Sequence, residues 1–232
     1  MLGRKRPRVS SATGTWKPRK KARVINRALG TTGLRTGGWR GVPGRRGELK
    51  YVDTLNASDT TAGGVLVLLN GLAPGTGASQ RIGKKCHFRS MLLRYNLGAN
   101  AAGATAFQGF TRIMVFLDTQ SNATAPTVAQ LLETVTASSP MNMDNRDRFK
   151  VLYDQGVPMS QAPTSSSDCR FIKIYKKMNI TTIFNNGTAG TVADITSGSI
   201  YLLSISEQAG AGAAPTAFPR YDFICRLRYD DA

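Results

Sequence analysis

The sequence predicts an all-β fold: an eight-stranded sandwich with one short surface helix, preceded by a disordered basic N-terminal arm. Three observations predict it. After Glu48 the chain breaks into short β-branched and aromatic runs separated by Gly, Ser, Asn and Pro clusters. Residues 1–47 hold fourteen Lys or Arg and no Asp or Glu. The remaining part, about 185 residues, suits a single core and is short for two. The expected division is therefore an arm over 1–47 and one folded domain over 48–232.

The arm comes first. Of the formal charge of +17, residues 1–50 carry fifteen basic side chains against one acidic, or +14; residues 51–232 carry sixteen against thirteen, or +3. Low hydrophobicity with high like charge leaves such a segment without a core until a polyanion neutralises it. Two clusters, Arg4, Lys5, Arg6 and Arg8, then Lys17, Arg19, Lys20, Lys21 and Arg23, flank an eight-residue spacer from Val9 to Trp16. They resemble a bipartite nuclear import signal, and the same side chains bind phosphate. Host import receptors and nucleic acid are both expected partners. Arg27 continues the basic character. From Gly30 to Gly47, seven glycines alternate with Arg35, Arg40, Arg45 and Arg46 around Trp39. Arginine can pair with phosphate and stack on bases, and Trp16 and Trp39 can stack as well. No zinc-finger spacing, basic-leucine heptad or RNA-recognition signature accompanies them, so binding is expected to be electrostatic, salt-sensitive and poorly sequence-specific.

The strands follow in order: Glu48 to Asn56, Gly64 to Asn70, Lys84 to Leu97, Phe110 to Thr119, Arg146 to Gln155, Cys169 to Phe184, Gly198 to Glu207 and Pro219 to Asp230. The last alternates cleanly, with Tyr221, Phe223, Cys225, Leu227 and Tyr229 opposite Asp222, Arg226, Arg228 and Asp230. In the fifth, Phe149, Val151 and Tyr153 oppose Arg148, Lys150 and Asp154. In the third, Cys86, Phe88 and Leu92 share one parity; apolar residues occupy both from Met91, which predicts a bulge or a contact surface there. Val65 to Leu69 and Ile200 to Ile205 are apolar on both faces. One helix interrupts the series. Thr127 and Gln130 form a capping box, and Val128, Leu131, Leu132 and Val135 follow at amphipathic spacing.

Several functions are excluded. No apolar run reaches about eighteen residues, and the N-terminus lacks the apolar segment of a secretory signal, so the chain is expected to mature in the cytosol or nucleus without membrane insertion. On that reading the glycosylation-like sites at Asn56, Asn122, Asn179 and Asn186 are discounted. Cys86, Cys169 and Cys225 are odd in number and never spaced as CxxC, which predicts buried, reduced thiols and no zinc site. The sole histidine, His87, has no nucleophile motif beside it. Gly75 to Lys85 mimics a phosphate loop but fails it: five residues separate Gly77 from Gly83, Lys85 replaces the magnesium-binding hydroxyl, and a strand follows. Asp144 with Asp147, and Asp230 with Asp231, read as surface carboxylates. No catalytic residue, cofactor or metal is expected.

A basic arm, eight β-runs, a helix in a long loop and no catalytic set together resemble a viral capsid protein of the single jelly-roll type. Gly77-Ala78-Ser79-Gln80-Arg81-Ile82-Gly83 is similar to the stretch entering strand D in capsid proteins of small circular Rep-encoding single-stranded DNA (CRESS-DNA) viruses. Arg146-Asp147-Arg148-Phe149-Lys150-Val151-Leu152 resembles the segment before strand F in these proteins, which include circovirus, nanovirus and geminivirus coat proteins, and Met114 to Asp118 suits their strand E. The resemblance implies a jelly roll of two four-stranded sheets, BIDG and CHEF, with the eight runs as strands B to I. It further implies self-assembly of about sixty copies into a T=1 shell, an inward arm that packages single-stranded circular DNA, assembly in the host nucleus, and a host-cell receptor. About sixty arms at +14 supply on the order of 800 positive charges, suited to a short single-stranded genome. Satellite viruses with RNA genomes use a similar fold, so single-stranded RNA is an alternative cargo. A nuclear or ribosome-associated binding protein that forms no shell is the other alternative.

Overall fold

The computed structural model describes residues 49–98, 100, 107–161, 168–209 and 217–231. Among the described residues the strands are β1 (Lys50–Asp59), β2 (Val65–Leu68), β3 (Lys85–Gly98), β4 (Phe107–Asp118), β5 (Phe149–Gln161), β6 (Cys169–Phe184), β7 (Ile195–Ser197), β8 (Ser199–Gln208) and β9 (Arg220–Asp231); α1 spans Val128–Leu131. They form two antiparallel sheets, ordered β1-β9-β3-β6-β7 and β2-β8-β4-β5. In jelly-roll lettering these are BIDG, extended by the short β7, and CHEF.

The eight predicted runs are all strands, and the departures have local causes. β7 is too short for periodicity to reveal. It adds to the end of β6, and the chain then turns into the other sheet at Gly198, whose φ is +83° and whose added Cβ would meet the Thr181 carbonyl oxygen at 2.5 Å. Buried Asn70 braces this corner, donating to Thr182 Oγ1 and the Gly198 carbonyl and accepting from Ile200 N–H, each at 2.9 Å. β5 runs past Gln155 and through Pro158, because β5 pairs with β4 alone and an edge strand tolerates a residue without an N–H. It begins at Phe149; the preceding residues form a turn in which Asn142 caps Met143–Asn145.

Two bulges correct the predicted parities. In β3 the register shifts between Phe88 and Ser90, so Met91, Leu93, Tyr95 and Leu97 enter the core with Cys86 and Phe88, while Leu92 moves to the outer face. In β5, Leu152 is passed over between Val151 and Tyr153; Tyr153 packs on the main core and Val151 is exposed. β9 alternates as predicted.

The main core fills the space between the sheets, and a second apolar cluster lies on the outer face of the four-stranded sheet. There Met114, Phe116, Tyr201, Leu203 and Ile205 are covered by Leu131, Leu132 and Ala137 of the long β4–β5 connection. Strands β4 and β8 are thus buried on both faces, which accounts for the apolar run from Ile200 to Ile205. The predicted helix is one turn. Its capping box between Thr127 and Gln130 is present, but Leu132 is already extended and Val135 is 40% exposed.

Candidate nucleic-acid interface

The arm residues assigned to nucleic acid and import, Arg4, Lys5, Arg6, Arg8, Lys17, Arg19, Lys20, Lys21, Arg23, Arg27, Arg35, Trp39, Arg40, Arg45 and Arg46, lie outside the described residues. The described chain begins where they end. Lys50, the first residue of β1, is buried, with its ammonium 2.9 Å from Asp231 and 3.1 Å from the Gln80 carbonyl. It fastens the start of the domain and is not free to meet a phosphate.

The loops read as possible sites are structural. In the phosphate-like loop, the Gln80 side chain folds back against Gly75 and Gly77, and its Oε1 accepts from Gly77 N–H at 2.9 Å. Next to it, buried Arg81 donates to the carbonyls of Leu72, Gly83, Asn185 and Gly187 at 2.7 to 3.4 Å and lies over the Phe184 ring. Within Arg146 to Leu152, Arg148 pairs in bidentate fashion with Asp118. Asp230 and Asp231 are committed to Arg89 and Lys50. His87 Nδ1 is 3.1 Å from Thr181 Oγ1 on the neighbouring strand. Cys86 and Cys225 are buried, but Cys169 is exposed, against expectation: it sits at the start of β6, at the sheet margin, with its thiol 2.9 Å from Asn96 Oδ1.

The exposed face of the five-stranded sheet has an uneven charge pattern. Strand alternation brings eight cations to it, Lys85, Arg89, Arg94, Lys173, Lys177, Arg220, Arg226 and Arg228, against four carboxylates, Asp53, Asp59, Asp222 and Asp230, for a balance of +4. On β1 and β9 much of this charge is compensated. Arg226 grips Asp53 at 2.7 Å, Arg220 meets Asp222 at 3.3 Å, and Arg89 of β3 grips Asp230 at 2.7 Å. Arg226 and Arg89 hold the carboxyls of Asp53 and Asp230 below the usual carboxylate range. Toward β3 and β6 the cations stand open: among the described residues, Arg94, Lys173, Lys177 and Lys85 have no carboxylate partner.

Between these cations lie Phe171, 67% exposed, and Tyr175, 59% exposed. The sequence reading missed them. The signal was present, since in β6 the aromatics share parity with Lys173 and Lys177, whereas Ile172, Ile174 and Met178 take the inward parity.

The sequence profile that matches this chain, over residues 45–232, is described as satellite tobacco necrosis virus coat protein. The chain belongs to that family. The coat protein of Maize white line mosaic Satellite virus is 26% identical over 174 residues, covering 74% of this chain and 75% of that protein. The capsid protein of Satellite tobacco necrosis virus 1 is 28% identical over 165 residues, covering 69% and 79%. Among solved structures, VP1 of the Trichodysplasia spinulosa-associated polyomavirus aligns over 78% of this chain and 95% of its own with 9% identity and a TM-score of 0.31.

Membership in the satellite tobacco necrosis virus coat protein family overturns the resemblance to CRESS-DNA viruses. The phrases that suggested it are, in physical terms, the Gln80–Arg81 loop clamp and the Arg148–Asp118 closure of the β4–β5 connection. Both serve to hold a jelly roll together, a need indifferent to the cargo. The chain is a structural capsid protein and not an enzyme.

Proposed function

We propose that this coat protein assembles into a small closed shell, of about sixty copies in T=1 arrangement, and packages single-stranded RNA through residues 1–47. The observation that supports this reading is the charge asymmetry: +14 on the first fifty residues against +3 on the rest, attached to a capsid domain of a satellite-virus family. Phosphate neutralisation by such a segment is sequence-independent and salt-sensitive, which suits a protein that must coat a whole genome. On the order of 800 arm charges per shell match a genome of one to two kilobases with roughly half its phosphates neutralised. The glycines between Gly30 and Gly47 let arginines reach phosphates at varied distances, and Trp16 and Trp39 stack on unpaired bases. The two basic clusters also have the form of an import signal, a separate use that packaging does not require.

Nucleic acid extracted from purified particles tests the cargo. RNase sensitivity with DNase resistance is the expected result, and DNase-sensitive cargo would refute it.

A further inference from the structure

We infer that the outer face of the five-stranded sheet carries a second site for single-stranded RNA, built on β6 and separate from the arm; the inference rests on the packaging reading above. Three observations carry it. On β6, Phe171, Lys173, Tyr175 and Lys177 project from one face in alternation, about 7 Å from one to the next. Large aromatics with more than half their surface exposed, interleaved with cations, make the combination that stacks bases while holding the backbone.

Second, Arg94 stands directly opposite Lys173 in the β3–β6 register. Like charges in that position repel, and neither forms an ion pair with a carboxylate among the described residues, although the same sheet pairs Arg226, Arg220 and Arg89 with aspartates. A phosphate between Arg94 and Lys173 turns the repulsion into binding. Third, a depression of about 630 Å³ adjoins Phe171, with Arg94, Ile224 and Leu55 around it, the Asn96 amide as a polar group, and the Asp222 carboxylate at its wall engaged by Arg220. A base stacked on Phe171 can lie in it.

The excess positive charge selects a polyanion as occupant over a second copy of this chain. Exposed π-faces select unpaired bases over duplex, whose bases are stacked on one another. Sequence preference is expected to be slight, since an aromatic accepts any base.

Ultraviolet irradiation of intact particles, followed by peptide mass spectrometry, tests the site on the unaltered chain. Nucleotide adducts on the peptide containing Phe171 and Tyr175 are expected. Adducts elsewhere with none on β6 would overturn the site while leaving packaging intact; particles without RNA would overturn the packaging reading as well. A second test uses the full-length chain with its fourteen arm cations changed to Ser and a fluorescent single-stranded RNA oligonucleotide. Phe171→Ala with Tyr175→Ala should weaken binding roughly tenfold per aromatic. Unchanged affinity would overturn the site, and unchanged affinity together with failure to assemble would assign the face to a second copy of this chain instead.

Discussion

Arg148 closes on Asp118 through two parallel bonds of 2.9 Å, and the carboxylate it grips is completely buried. Asp118 ends β4 and Arg148 directly precedes β5, so the pair fastens both ends of the connection that covers the outer face of the four-stranded sheet. The guanidinium also lies over the Phe149 ring, and Asp118 Oδ1 accepts from Gln120 N–H. Arg148→Ala leaves a buried carboxylate without its counter-charge and should cost about 3 kcal/mol. Urea unfolding of the soluble subunit measures it; a loss below about 0.5 kcal/mol, typical of an exposed pair, would contradict the assignment.

Arg81 makes a sharper case for guanidinium geometry. Its donors reach four carbonyls on three segments while its plane covers Phe184. A lysine has a single charged nitrogen and cannot span them. Arg81→Lys should therefore destabilise the domain by about 2 kcal/mol and raise amide exchange across 71–83 and 185–194, leaving the β4–β8 ladder protected. Wild-type exchange in those loops would show that the clamp is not needed.

The thiols differ in reactivity. Burial pushes the thiols of Cys86 and Cys225 up to about 12, with Asp231 reinforcing the shift at Cys86 and Asp53 at Cys225. Cys169 is exposed. A chromogenic disulfide reagent should modify one thiol rapidly in native subunits and all three after denaturation, and Cys169→Ser should abolish the fast phase. A fast phase that survives this substitution would place the reactive thiol elsewhere.

Acid should weaken the five-stranded sheet. Asp53 and Asp230 titrate below their ordinary value of 3.8 because Arg226 and Arg89 bind the ionised forms. A depressed folded-state pKa means that the contribution is fully present above that ordinary value and disappears as the pH falls through the lower, folded one. The melting temperature of the wild type should accordingly fall more steeply between about pH 5 and about pH 2 than that of the Arg89→Gln, Arg226→Gln double variant. Parallel curves would show that the two pairs contribute nothing.

Strand order in the chain was legible because β-branched and aromatic runs stand between Gly and Pro punctuation, and some keep a period of two, as from Tyr221 to Tyr229. Facing was less so. A bulge is one extra residue whose placement depends on the partner strand, so parity inverts at Ser90 and around Leu152. The apolar run from Ile200 to Ile205 was visible, but not that the β4–β5 connection covers it, since that contact joins distant segments. For the site, the arm's charge could be read directly, whereas the outward facing of Phe171 and Tyr175 is set by the pairing of β6 with β3 and shows in their exposure. The local phrases around Arg81 and Arg148 pointed to DNA viruses because they record loop closure, which reveals nothing of the cargo.

The claim that the arm holds the genome is tested most directly by the absorbance ratio at 260 and 280 nm of particles whose fourteen arm cations are replaced by Ser. Shells that form with most of their nucleic acid gone are the predicted result. Shells with the wild-type ratio would contradict it and place the packaging charge in the capsid domain instead.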